Sequence, residues 1–324
     1  MTRTSLRLLT TVALAALAVG TVPRAGAAES PEAPLNWVAL GDSYTAGVIP
    51  PTGAELDPEG AHTGCARTEG SYPRLVAGAW GGRVRLTDVA CNNAMLAEIA
   101  HQGQVPLGSP RDYLEGRTFK AVAPQLAAVD EDTDLVTVGM GGKDSGFGEV
   151  VYACAMQEPP RASDGSPVPC EERTRELVEA RLASAVREYD DMLRRIHRKA
   201  PHAKILTVGY PSIVPADASR CTVGDQTQFG HMSRADLEWL RDGVLDPINR
   251  VIERQTARHH RYAAYVDTHH SSRGADVCAG RWRWVEGLTA PGYPYPDNVA
   301  NVLPNAFGQA NTARAVLRAM HREL

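Results

Sequence analysis

Ser43 is the first residue of this chain whose setting suits it for chemistry. It follows the apolar run Asn36–Leu40 inside Gly41-Asp42-Ser43-Tyr44-Thr45-Ala46-Gly47, where a strand entering a glycine-flanked turn would present a hydroxyl at a sheet edge. A second apolar run, Asp134–Val138, ends in Gly139-Met140-Gly141-Gly142-Lys143-Asp144 and so offers an amine and a carboxylate at another strand end. A hydroxyl is a weak nucleophile at its free pKa and needs a base. Lys143 would serve only if desolvation drove it well below its ordinary value of about 10.4. With Asp42 and Asp144 close in sequence, a charged, ion-paired Lys143 is the expected state. Of the ten histidines, His259-His260 end a helix, where positive charge suits the dipole and a surface position is expected. His269-His270 follow a strand and stand closer to a cleft. There is no G-x-S-x-G elbow, H-E-x-x-H, P-loop or G-x-G-x-x-G motif.

The elements that must position these groups are read from the rest of the chain. It has 324 residues, 43% hydrophobic and 22% charged, an ordinary globular composition. A net charge of −4 argues against a general nucleic-acid binder. Arg3 and Arg7 precede the apolar run Leu8–Val22 and the small residues Ala25-Gly26-Ala27, the pattern of a secretory signal peptide cleaved after Ala27. Its apolar core is shorter than the ~20 residues of a bilayer span. No later segment is apolar enough to cross a membrane. The expected protein is therefore secreted and soluble, a single domain over 28–324. Six cysteines, Cys65, Cys91, Cys154, Cys170, Cys221 and Cys278, lack the close pairs of a metal site and fit export as disulfides. Sequential pairing is the simplest connectivity.

Short apolar strands alternate with helices. Strands are expected at Asn36–Leu40, Arg83–Ala90, Asp134–Val138, Lys204–Val208 and Tyr262–Val266. Helices are expected at Ala121–Val129, Glu171–Ala200, from an N-cap at Ser233 to about His260, and Ala306–Met320. That alternation implies a three-layer α/β/α domain around a parallel sheet, with the ligand crevice outside the carboxyl ends of the strands.

At those strand ends the chain resembles the GDSL, or SGNH, hydrolase family. Gly41–Gly47 is similar to its nucleophile block. Cys65-Ala66-Arg67-Thr68-Glu69-Gly70-Ser71-Tyr72-Pro73 resembles the C-x-R-S-x-x-S-Y-P segment of its secreted actinobacterial esterases and lipases. Asp88–Cys91, Thr133–Phe147 and Leu303–Gln309 resemble the second, third and last blocks in order. The resemblance implies a flavodoxin-like SGNH-hydrolase fold, Ser43 as nucleophile, an acyl-bearing substrate, no cofactor or metal, and a monomer.

Residue by residue, the same resemblance departs from a working hydrolase. The family's C-S-G-A reads Cys91-Asn92-Asn93-Ala94, placing Asn93 at an oxyanion glycine; its G-G-N-D places Lys143 at an oxyanion asparagine. Its D-x-x-H-P-N reads Ala300-Asn301-Val302-Leu303-Pro304-Asn305, so Leu303 stands at the base and Ala300 at its carboxylate. Three readings follow. One is a non-hydrolytic enzyme, for example a cyclase or rearrangement catalyst of a natural product, using Ser43, Lys143 or Asp144. Another is a pseudoenzyme binding a lipophilic or acyl-bearing ligand, with Asp42 and Asn93 at the cleft and Leu303, Phe307 and Met140 as an apolar patch. The third is an ester hydrolase whose Ser43 is served by Lys143 or by a histidine outside the family pattern.

Overall fold

The computed structural model describes residues 33–56 and 62–324; the signal-peptide reading of residues 1–27 lies outside them. Five strands, β1 (Leu35–Gly41), β2 (Val84–Asp88), β3 (Leu135–Gly139), β4 (Lys204–Val208) and β5 (Ala263–Val266), form one parallel sheet in the order β2-β1-β3-β4-β5. Strand side chains alternate between two cores, as a period of two demands. Val38, Leu40, Val136, Val138 and Ile205 enter one; Trp37, Ala39, Leu135, Leu206 and Val208 enter the other. The helices are α1 (Ser43–Ala46), α2 (Tyr72–Trp80), α3 (Leu96–Ala100), α4 (Pro110–Leu114), α5 (Phe147–Val151), α6 (Cys170–Lys199), α7 (Arg234–Trp239), α8 (Asp246–Arg258) and α9 (Ala306–Glu323). Residues of α3, α6 and α8 cover the first core; residues of α2 and α9 cover the second. The three-layer α/β/α expectation therefore holds, and the strand order is the flavodoxin-like one.

Two helical expectations change, each beside a proline. Ala121–Val129 yields only a 3₁₀ turn, Gln125–Ala128, because Pro124 has no N–H to donate and restricts the residue before it. The expected continuous helix after Ser233 is interrupted by a π-helical segment at Leu240–Leu245. Pro247 cannot donate to the Gly243 carbonyl, and the Trp239 ring lies 2.4 Å from where a Cβ on Gly243 would be. The disulfides pair sequentially, Cys65–Cys91, Cys154–Cys170 and Cys221–Cys278. Among the described residues no helix is long and apolar enough to cross a membrane.

Candidate active site

Strand order reverses between β1 and β3, and their carboxyl ends meet with Gly41 opposite Gly139. This is the switch point where an open α/β sheet leaves a crevice. A Cβ on Gly41 would fall 2.1 Å from Thr45 Oγ1, so the tight turn into α1 requires glycine. Asp42 caps α1, its carboxylate accepting from Tyr44 N–H at 2.9 Å, and Ser43 is the first helical residue. Ser43 is half-buried, and no hydrogen bond from its N–H or Oγ is found among the described residues. Gln125 holds the turn from below, its side-chain oxygen accepting from Gly41 N–H and its amide donating to Gly41 O.

The neighbouring segments are tied to this turn. Tyr210, after β4, donates its hydroxyl hydrogen to Asp42 and accepts from Gly142 N–H at 2.6 Å. Asn93 lies in the left-handed region (φ 66°), which asparagine tolerates at a position where glycine is usual, and its N–H is unspent among the described residues. Lys143 Nζ donates to Asn93 O at 3.2 Å. Asp144 is buried, and its oxygens accept from Leu96 N–H at 3.1 and 3.2 Å. The expected pairing of Lys143 with Asp42 or Asp144 is thus replaced by a carbonyl contact, because both carboxylates are turned to other donors. Burial pushes the Asp42 carboxyl up to about 6, against the opposing hydrogen bond from Tyr210. Burial likewise pushes Asp144 up to about 7, against the Leu96 N–H. It holds the Tyr210 hydroxyl well above its ordinary value, aided by the charge of Asp42.

The last segment closes the site with apolar groups. Leu303 is 7% exposed and packs in one cluster with the wholly buried Ala300, Ala46 and Ile49 and with Val48, Tyr44 lying against them. Asn301 and Val302 both have positive φ (50° and 61°), and the Tyr44 hydroxyl donates to Val302 O at 2.7 Å. The apolar patch expected of Leu303, Phe307 and Met140 does not form. Met140 lies in the core beneath the sheet, Leu303 in its own cluster, and Phe307, on the first turn of α9, is 66% exposed. Val48, a neighbour of Leu303, also lines an open pocket of about 270 Å³ whose other walls include Pro50, Glu55, Ser109, Arg111 and Asp297.

The histidines divide by sheet edge. His259 and His260 precede β5 and so lie at the amino edge, where His259 bonds Asp190 and Tyr262 at 2.7 Å each. His269 and His270 follow β5; His270 pairs with Asp267. His269 is held below its ordinary value by burial, and its charged neighbours are Asp246, Arg273, Asp267 and His270. Tyr44, Tyr210 and Gln309 organise the site without having been singled out from sequence. Gln309 donates to Tyr44 O at 2.9 Å and accepts from Tyr72 N–H at 2.8 Å. The available signals were adjacency to Ser43, a place after β4, and membership of the last block.

The family model described as GDSL-like lipase/acylhydrolase matches residues 39–311. Lipase 2 of Streptomyces coelicolor is 34% identical, over 94% of this chain and 92% of its own length. A lipase of Streptomyces rimosus is 28% identical, over 79% of this chain and 78% of its own. Among solved structures, phospholipase A1 from Streptomyces albidoflavus NA297 superposes with a TM-score of 0.63 at 24% identity. That match covers 90% of this chain and all of the other, and it bears on the fold.

Proposed function

The chain belongs to the GDSL-like lipase/acylhydrolase family, and from that premise we propose that it engages a lipophilic or acyl-bearing small molecule without ordinary serine ester hydrolysis. It either retains this ligand or converts it by a non-hydrolytic step, such as cyclisation or rearrangement. The observation that carries this reading is Leu303. Where the resemblance expects a proton acceptor for Ser43, the chain places a buried leucine packed with the apolar side chains of Ala300, Ala46 and Ile49, Tyr44 lying against them. Loss of a triad histidine costs roughly a million-fold in rate. Ser43 and its N–H, the unspent N–H of Asn93 and the Lys143 ammonium remain able to receive a carbonyl or carboxylate oxygen. Asp144, turned to Leu96 N–H, acts in this reading as a positioning residue. Three disulfides and the amino-terminal signal pattern support export, and we assign the mature chain to the extracellular space as a monomer with no nucleic-acid partner.

A second reading rests on the Lys143–Asn93 contact, which puts the only amine of the third block against the second block. In it Ser43 is a nucleophile served by Lys143 or by His269. The two are separated by exposing disulfide-intact mature protein to a fluorophosphonate and measuring intact mass, with Ser43→Ala as control. No adduct over hours is the expected result. A single adduct that disappears in Ser43→Ala would replace the proposal with the hydrolase reading.

A further inference from the structure

Away from the crevice, Glu55, His62 and Asp112 converge from two segments, one donor atom of each lying within 4.8 Å of the others. His62 Nε2 is 3.2 Å from Asp112 Oδ2, and His62 Nδ1 is 3.4 Å from Glu55 Oε1. A neutral imidazole has one donor and one acceptor nitrogen. Whichever tautomer forms, one lone pair faces a carboxylate, so the arrangement becomes attractive throughout only when a cation enters. That cation is either a proton, giving imidazolium, or a metal ion taking a nitrogen lone pair. The Asp112 side chain is 4% exposed and is oriented by Ser109, whose N–H and hydroxyl donate to its Oδ2 at 2.9 and 2.8 Å. Outer hydrogen bonds of this kind are what fix a ligating carboxylate. Burial pushes the Asp112 carboxyl up, but these bonds and His62 hold it below its ordinary value, so it stays ionised at neutral pH. Arg117 Nε, 3.4 Å from Asp112 Oδ1, offsets part of the negative charge.

We propose that Glu55, His62 and Asp112 bind a divalent transition-metal ion of the Zn²⁺ type through one imidazole nitrogen and two carboxylate oxygens. A mixed nitrogen and oxygen donor set selects such ions over Mg²⁺ or Ca²⁺, which take oxygen ligands. Ser109 already occupies Oδ2, so Oδ1 is the Asp112 oxygen left to ligate, and the convergence of one donor atom of each side chain within 4.8 Å is the geometry that an ion would draw together. Glu55, on a partly exposed side chain, closes on the same ion. Two carboxylates neutralise the dication. Glu55, Ser109, Pro110 and Arg111 also line the pocket beside Val48, so the ion would sit at its edge. The site is independent of whether Ser43 hydrolyses anything.

The test uses EDTA-stripped mature protein titrated calorimetrically with Zn²⁺ at pH 7.5 and 5.5. Visible absorption of bound Co²⁺ reports the coordination geometry. One saturable site is expected at pH 7.5, weakened at least ~10-fold at pH 5.5, where protons compete for the imidazole. Glu55→Gln and His62→Gln each weaken it at least ~10-fold, whereas His270→Gln, which removes the Asp267 pair elsewhere on the surface, leaves it unchanged. Zn²⁺ also raises the melting temperature of the wild type and not of His62→Gln. Absence of saturable binding, or binding that survives both Glu55→Gln and His62→Gln, overturns the proposal.

Discussion

If Leu303 stands where a proton acceptor is needed, as proposed, substitution can supply one. Ser43 sits on a helix start held by hydrogen bonds of Asp42, Tyr210 and Gln125, none of which is made by Leu303, although Leu303 packs with Ala46 of the same helix. If the missing base is the principal defect, Leu303→His with Ala300→Asp supplies the imidazole and a carboxylate to orient it. General-base assistance is worth roughly 10²–10⁴-fold, so hydrolysis of a p-nitrophenyl ester is expected to rise at least ~10²-fold and to vanish again with Ser43→Ala. The same change removes a buried leucine, worth about 1.5–3 kcal/mol of apolar burial, so the melting temperature falls. A folded double variant with wild-type turnover would move the defect to Asn93 or Lys143. Ser43, Asn93 and Lys143 were legible because each stands shortly after a strand end, and Ala300 and Leu303 because they fall in the block that leads into α9. The hydrogen bond from Tyr210 to Asp42 was not, since 168 residues separate its partners and only the β4 crossover brings them together. The Lys143 contact was misjudged for a related reason: sequence shows which charges are near, but not which backbone donors claim them first.

The short final block depends on the element that follows it. Asn305 caps α9, its side-chain oxygen accepting from Phe307 and Gly308 N–H at 3.0 and 3.2 Å. Its amide donates to Glu286 Oε1 at 2.7 Å and to Arg283 O at 3.0 Å. Replacing an N-cap by alanine costs ~1 kcal/mol, and an abandoned buried acceptor adds about 1–3 kcal/mol. Asn305→Ala is therefore expected to lose about 2–4 kcal/mol in urea unfolding, whereas Asn305→Asp, which keeps the cap but sets a charge against Glu286, loses a comparable amount that shrinks at low pH. A loss in Asn305→Ala with almost none in Asn305→Asp would assign Asn305 to the cap alone. At this scale the sequence was most readable where period and punctuation agreed. Lys204–Val208 is a strand with the expected bounds, and α6 ends at Lys199, before Pro201. It was least readable where proline broke a helical period from within, at Pro124 and Pro247. Phe307 was misplaced because an apolar residue on the first turn of an amphipathic helix reads as inward from type alone; the N-cap geometry turns it out.

Across the whole molecule, buried carboxyl groups gather near the carboxyl edge of the sheet, and their protons become part of the folding equilibrium. Asp42 and Asp88 are raised by burial to about 6 and Asp144 to about 7, all from an ordinary 3.8. Between about pH 4 and 7 the native state holds protons that the unfolded chain has released, so these groups' contribution to stability is full below that window and declines as pH rises through it. Asp112, Asp191 and Asp297 are held low and act with the opposite sign, their contribution fading as pH falls. The net profile mixes the two, but a difference between proteins that share all groups except one does not. Asp144→Asn retains an oxygen for Leu96 N–H and has no proton to lose. The stability of wild type minus that of Asp144→Asn is therefore expected to be level below about pH 4, to fall through the window, and to level off above about pH 7. A tenfold difference in proton affinity is worth about 1.36 kcal/mol, so the total change is a few kcal/mol, in favour of the variant at high pH. Urea unfolding from pH 4 to 8 measures it. A difference that stays constant would mean that Asp144 is already ionised when folded, with the charge balanced by Lys143. That outcome would restore the ion pair expected from their adjacency in sequence and make the third block a charged rather than a neutral wall of the crevice.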